Sequence, residues 1–238
     1  MKRTSLIAFG VAAQSVFLTF AAPAAAEDAE SLSFETSASS QSATAPGPYV
    51  RFELGAIVPE LDDAYWLPPG PADPQINFGL DGDNAGFAGI AFGYDWQNGY
   101  RADVSVLHSA DIGFSGPCIS ASDGSDCDNP PPPGRPHADI SDGSVSSTAL
   151  MANLFYSPMQ ANGSDAAFQP YVVAGLGLAR NTVDSWTRVN PTSGNPVRIF
   201  GSNTETEFAW SLGVGASWEI TQAGGQPLLL DVSWRYFD

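Results

Sequence analysis

His108 and His137 are the only two histidines in a chain of 238 residues. A hydrolase would need one of them as a base within hydrogen-bonding reach of a nucleophile. The segment VLHSAD places Ser109 beside His108. That pairing fails on geometry, because YRADVSVLHSADI alternates like a strand and adjacent strand residues point to opposite faces. No catalytic residue is assigned, and the chain reads as a non-enzyme. Asp81-Gly82-Asp83-Asn84 begins like a calcium loop but lacks the later acidic ligands. It reads as a turn, and no metal or cofactor is expected. The only cysteines are Cys118 and Cys127, and only His137 lies near them, too few ligands for zinc. In an exported chain they are expected to form a disulfide closing a ten-residue segment.

The remaining chemistry is charge within otherwise apolar, alternating segments. Arg51, Glu53, Asp95, Arg101, Asp103, Glu219, Asp231 and Arg235 all share the phase opposite to the large apolar residues, as does Glu207. Residues of this kind, enclosed together, satisfy one another as ion pairs and hydrogen bonds. They are expected to form an interior charge network.

The segments that must position them have period two. Strands are predicted over 49–58, 86–96, 100–112, 145–156, 170–180, 206–220 and 227–237. Each is about the length of a transmembrane β-strand, roughly 9–11 residues or a little more. In FAWSLGVGASWEI one face carries Phe208, Trp210, Leu212, Val214, Trp218 and Ile220, and the other Ser211, Gly213, Gly215 and Ser217. The small face is a poor solvent surface but fits the crowded inner wall of a small closed barrel, with the large residues outside. A soluble barrel with its apolar face inward is the alternative.

The connections alternate in length. They run to about 27, 3, 32, 13, 25 and 6 residues. In an up-and-down sheet all long loops then sit at one end and all short turns at the other, as in outer-membrane barrels. Tyr49, Trp96, Tyr100, Tyr156, Tyr171 and Trp218 fall at the short-turn end, where an interfacial girdle would lie. The three-residue turn Gln97-Asn98-Gly99 places Asp95 opposite Arg101. That register predicts an Asp95–Arg101 pair near the mouth.

Residues 1–26 read as a signal peptide, with basic Lys2 and Arg3, an apolar run over 5–20 and a small-residue site at Ala24-Ala25-Ala26. Residues 27–47 read as a disordered Ser/Ala-rich linker and 48–238 as the barrel domain. Cleavage before Glu27 would remove two of nine basic residues and none of the 26 acids, taking the formal charge from −17 to −19. No basic patch exists to neutralise phosphates, which excludes nucleic acid as a partner. The long loops carry Asp62, Asp63, Asp123, Asp126, Asp128 and Asp139. Pro130–Pro133 reads as a stiff spacer within one of them.

The pieces GFAGIAFGYDW and YRADVSV, ALMANLFY, QPYVVAGLGLA, FAWSLGVGASWEI and LLLDVSWRYFD together resemble the opacity-type and OmpA-like eight-stranded outer-membrane β-barrels, a porin-like family. The resemblance covers roughly residues 48–238. It implies an all-β, up-and-down antiparallel transmembrane barrel in the cell outer membrane, with its N-terminus periplasmic and its long loops outside. One departure stands out. Seven strands are visible, and the family's eighth, C-terminal strand is missing at Asp238. Either the sequence is incomplete or an earlier strand is hidden.

The function expected is structural or surface-interacting. The interior would be plugged, outer-membrane lipid would surround the wall, and the acidic loops would face an extracellular surface partner. The chain is expected to be monomeric. The alternatives are a narrow porin-like diffusion channel and a soluble periplasmic barrel holding an apolar ligand.

Overall fold

A computed structural model describes residues 9–21, 46–61, 64–66, 75–121, 140–189, 196–223 and 226–238. Strand β1 spans Phe9–Ala21 and β2 Gly47–Leu61. Three short strands follow, β3 (Ala64–Trp66), β4 (Ile76–Phe78) and β5 (Asp81–Gly82). Next come β6 (Ala85–Asp95), β7 (Tyr100–Ser109), β8 (Ile112–Ala121) and β9 (Ile140–Tyr156). A one-turn helix α1 (Pro158–Ala161) leads to β10 (Phe168–Val183), β11 (Trp186–Val189) and β12 (Pro196–Phe200). Strands β13 (Asn203–Ala223) and β14 (Gln226–Phe237) complete the chain.

Eight of these pair antiparallel in a ring, β1–β2–β6–β7–β9–β10–β13–β14 and back to β1. The fold is thus an outer-membrane type of β-barrel, and all seven segments predicted as strands lie in its wall. One strand of the ring lies outside those seven segments. It is β1, from the segment expected to be a leader, running from Val11↔Phe237 to Phe20↔Leu228 on one side and from Phe9↔Leu61 to Ala21↔Tyr49 on the other. The cause is edge chemistry. β2 and β14 each present a row of backbone N–H and C=O groups that need partners. An apolar segment joined to β2 by a linker can supply both rows, and composition alone does not separate that role from a leader's. Residues 27–45 of the expected linker lie outside the described residues, and Gly47 already belongs to β2.

The described parts of the long connections contain strands where loops were expected. β9 begins at Ile140 and β13 at Asn203, several residues beyond the predicted spans. The β13 extension pairs with the end of β10, and the β9 extension pairs with strands of the long connections. β8 pairs with the start of β9, β4 and β5 pair with β8, β3 pairs with β4, and β11 pairs with β9 and β12. Asp81–Gly82, expected as a turn, is one of these short strands. Asp62, Asp63, Asp123, Asp126, Asp128, Asp139 and Pro130–Pro133 lie outside the described residues.

The interior divides into two zones. Toward the long loops it is apolar, built by Ile57, Phe87, Leu107, Ile112, Phe114, Val145, Met151 and Ala209. Toward the short turns it is charged. The outer wall is apolar, with Phe52, Leu54, Phe92, Val104, Leu154, Val172, Leu176, Leu212 and Trp234 all exposed.

Candidate functional site

The charged zone follows from strand parity. Arg51 and Glu53 lie on the inward phase of β2, Arg101 and Asp103 on that of β7, and Asp231 and Arg235 on that of β14; all six are buried. Ser211 is 1% exposed and its neighbour Leu212 54%, so parity decides facing residue by residue.

Asp103 accepts hydrogen bonds on both carboxylate oxygens. Its Oδ2 accepts from Arg51 Nε at 3.0 Å, Arg51 Nη2 at 2.7 Å and the Tyr49 hydroxyl at 2.9 Å. Its Oδ1 accepts from Asn153 Nδ2 at 2.7 Å, and that amide also donates to Ser105 Oγ at 3.0 Å. Arg51 forms a second ion pair with Glu53, and Arg235 Nη2 stands 3.9 Å from the same Glu53 carboxylate. Arg101 Nη2 donates to Asp231 Oδ1 at 2.8 Å, and the Ser217 hydroxyl donates to that oxygen too. Three guanidiniums thus meet three carboxylates, and the zone is balanced in formal charge. Buried charges persist only when paired and hydrogen-bonded in this way.

An aromatic side chain organises the cations. The guanidinium carbons of Arg51, Arg101 and Arg235 lie 5.2, 4.5 and 5.5 Å from the Phe155 ring centroid, and Arg101 is also 4.7 Å from that of Tyr171. Phe155 and Tyr171 meet edge to face at 5.5 Å. Such cation–π contacts are stronger when desolvated.

Glycines make room for these large groups. A Cβ on Gly213 would fall 2.6 Å from Arg235 Cγ, one on Gly215 2.6 Å from the Tyr171 ring, and one on Gly93 2.6 Å from the Tyr49 ring. The small face of FAWSLGVGASWEI is therefore the floor beneath the side chains of neighbouring strands.

Two expected members stand apart. Asp95 lies directly across the hairpin from Arg101, but its Oδ1 accepts the Gln97 N–H at 2.7 Å. The turn needs that bond, because Gln97 and Gly99 both have positive φ. Glu219 is exposed, at a bulge where the β13–β14 register shifts. Glu207 is half-buried. Sequence reasoning missed Tyr49, Asn153, Phe155 and Tyr171. The first and last had been assigned to the girdle, yet both are buried, as the shared parity of Tyr49 with Arg51 indicates. The outward aromatics at the short-turn end instead form the pairs Tyr94–Trp96, Tyr100–Tyr156 and Phe168–Trp218.

His108 and Ser109 do face opposite ways. His108 is exposed, with Nδ1 2.9 Å from Thr148 Oγ1, whereas Ser109 is buried and its hydroxyl accepts the Ser147 N–H. No acidic, histidine or cysteine cluster suited to a metal occurs among the described residues. Of the two cysteines expected to pair, Cys118 is among the described residues and Cys127 lies outside them. Cys118 sits in β8, not in an irregular loop, and packs with Ile76 and Phe78. Phe78 meets Trp186 edge to face at 6.4 Å, Trp186 stacks on Phe200 at 3.9 Å, and Arg188 lies 5.7 Å over Phe78. Segments of all three long loops thus share one apolar cluster.

Comparison with known proteins agrees with this architecture. The family model of the outer membrane protein beta-barrel domain matches residues 12–238. The outer membrane protein PagN of Salmonella typhimurium (strain LT2) is 28% identical over 155 residues, which cover 63% of this chain and 56% of that protein. The chain therefore spans little more than half of the curated relative it matches. No solved structure matches it.

Proposed function

The chain belongs to the outer membrane protein beta-barrel domain family, and from that premise we propose a self-plugged barrel of the cell outer membrane with a structural or surface-contact role. The observation that supports this is the balanced network of Arg51, Glu53, Arg101, Asp103, Asp231 and Arg235 around Phe155, all buried on the inward phase of the wall. A ring of eight strands has room only for its own side chains. Lipid would contact the exposed apolar wall, which is the wrong surface for a soluble carrier with an internal ligand. The long loops would face outward, carrying an acidic surface toward a partner outside the cell, and the barrel would act as a monomer. Residues 1–26 would direct export, in which case β1 would hold its place between β14 and β2 only as long as that segment is retained, and Cys118 would be bonded to Cys127. No catalytic role is assigned to any residue.

Planar-bilayer recording of the purified full chain tests the plug. The expected result is no stable conductance. A large, persistent conductance would replace this reading with the narrow diffusion channel. Recovery of the chain in the aqueous fraction of lysed cells would exclude the membrane assignment altogether.

A further inference from the structure

On four consecutive wall strands the outward face changes character in one step. Val106, Leu150, Leu178 and Phe208 are exposed apolar residues and lie in one cross-strand row. Two residues further toward the long loops come His108, Thr148, Arg180 and Thr206, again in one row and all exposed. Beyond them Thr182 and Thr204 share a hydrogen bond at 3.1 Å. A band edge of this kind marks where hydrocarbon gives way to headgroups.

Arg180 is unusual in this acidic chain. Arg51, Arg101, Arg188 and Arg235 are buried, whereas Arg180 is exposed and forms no ion pair among the described residues. The nearest acids on its own and the adjoining strands do not compete. Asp184 lies four residues on and is bonded by the Ser144 hydroxyl, while Glu205 and Glu207 are half-buried on the inward phase. His108 and Arg180 each lie directly across from Thr148. We propose that His108, Thr148 and Arg180 form a binding site for the phosphate of a membrane lipid headgroup, with the acyl chains lying along Val106, Leu150, Leu178 and Phe208. The Arg180 guanidinium offers a planar fork matched to phosphate oxygens. When the Thr148 hydroxyl donates to His108 Nδ1, the other ring nitrogen carries the proton and donates outward. The continuous apolar row selects a lipid over a free anion. The inference rests on the proposed lipid-facing wall.

The test is native mass spectrometry of the full chain in detergent. It is titrated separately with phosphatidic acid, with diacylglycerol of the same chains, and with inorganic phosphate. Phosphatidic acid is expected to bind best. Arg180→Gln is expected to weaken it by about 10-fold or more, the loss of a charge-assisted hydrogen bond. Arg180→Lys should fall between, and Thr148→Val should weaken binding without loss of charge. Circular dichroism checks that each variant keeps its strand content; these side chains are exposed, so folding should survive. Equal binding of diacylglycerol, equal binding of inorganic phosphate, or wild-type affinity in Arg180→Gln would each overturn the site. A chain that stays monodisperse in water without detergent would overturn the lipid-facing wall itself. A chain that needs detergent yet ignores the phosphate would overturn only this proposal.

Discussion

Arg101 binds Asp231 at 2.8 Å, 130 residues away in sequence, although Asp95 lies directly opposite it in the β6–β7 hairpin. Asp95 is only partly buried and already accepts a turn N–H, whereas Asp231 is fully buried. The carboxylate with less access to water has more to gain from the cation. Removing one partner of the buried pair, as in Asp231→Asn, should therefore cost about 3–5 kcal/mol of stability. Asp95→Asn should cost no more than about 1 kcal/mol. Denaturant titrations in lipid vesicles would show this, and a double-mutant cycle should find coupling of Arg101 with Asp231 and little with Asp95. Coupling to Asp95 alone would mean that the hairpin pair dominates.

Leu212→Arg should destabilise the barrel by about 2–4 kcal/mol if position 212 lies near the bilayer midplane. A water-soluble thiol reagent should fail to reach a cysteine placed there in intact membranes. Free labelling at 212 would mean that the outer wall does not face lipid.

Gly215→Ala should destabilise by about 1–3 kcal/mol, the usual cost of overpacking. Its Cβ would meet the Tyr171 ring at 2.6 Å. The penalty should shrink in a Tyr171→Ala background, since the two groups compete for one space. An equal penalty in both backgrounds would show that Tyr171 is not the obstacle, leaving the Ser233 Cβ at 2.7 Å as the contact that sets the glycine requirement.

Reduction of the proposed Cys118–Cys127 disulfide should loosen the loop cluster around Phe78 and Trp186 while the wall stays folded. The wall's ladder is independent of that bond. Limited proteolysis before and after reductant should show new cuts confined to the loops. Cuts within the charged zone would indicate that the loops and the wall unfold together.

Export should remove residues 1–26, so the intact mass of the outer-membrane form should correspond to a chain beginning at Glu27. Such a cut would take β1 out of the ring. A mature chain still carrying Phe9–Ala21 would instead make that segment a permanent wall strand.

The sequence by itself determined the parity of the wall. Alternation has a period of two whatever the partner strand is, so FAWSLGVGASWEI and YRADVSV declared their inner and outer faces directly. It also determined which ends carry the short turns, and the hairpin register around Gln97-Asn98-Gly99. Partners within the barrel were another matter. Arg51 finds Asp103, and Arg101 finds Asp231, only when the closed ring brings distant strands face to face. Glu219, which parity had placed inside, is exposed where the β13–β14 register is about to shift. The girdle reading of Tyr49 and Tyr171 failed because position along a strand was weighed above phase. The pairing of β1 with β2 and β14 was not legible, because an apolar run carries no mark of which edges it will pair with. Local period is written in each segment. Which buried charge meets which is decided by closure, where desolvation selects among partners that the chain alone leaves equivalent.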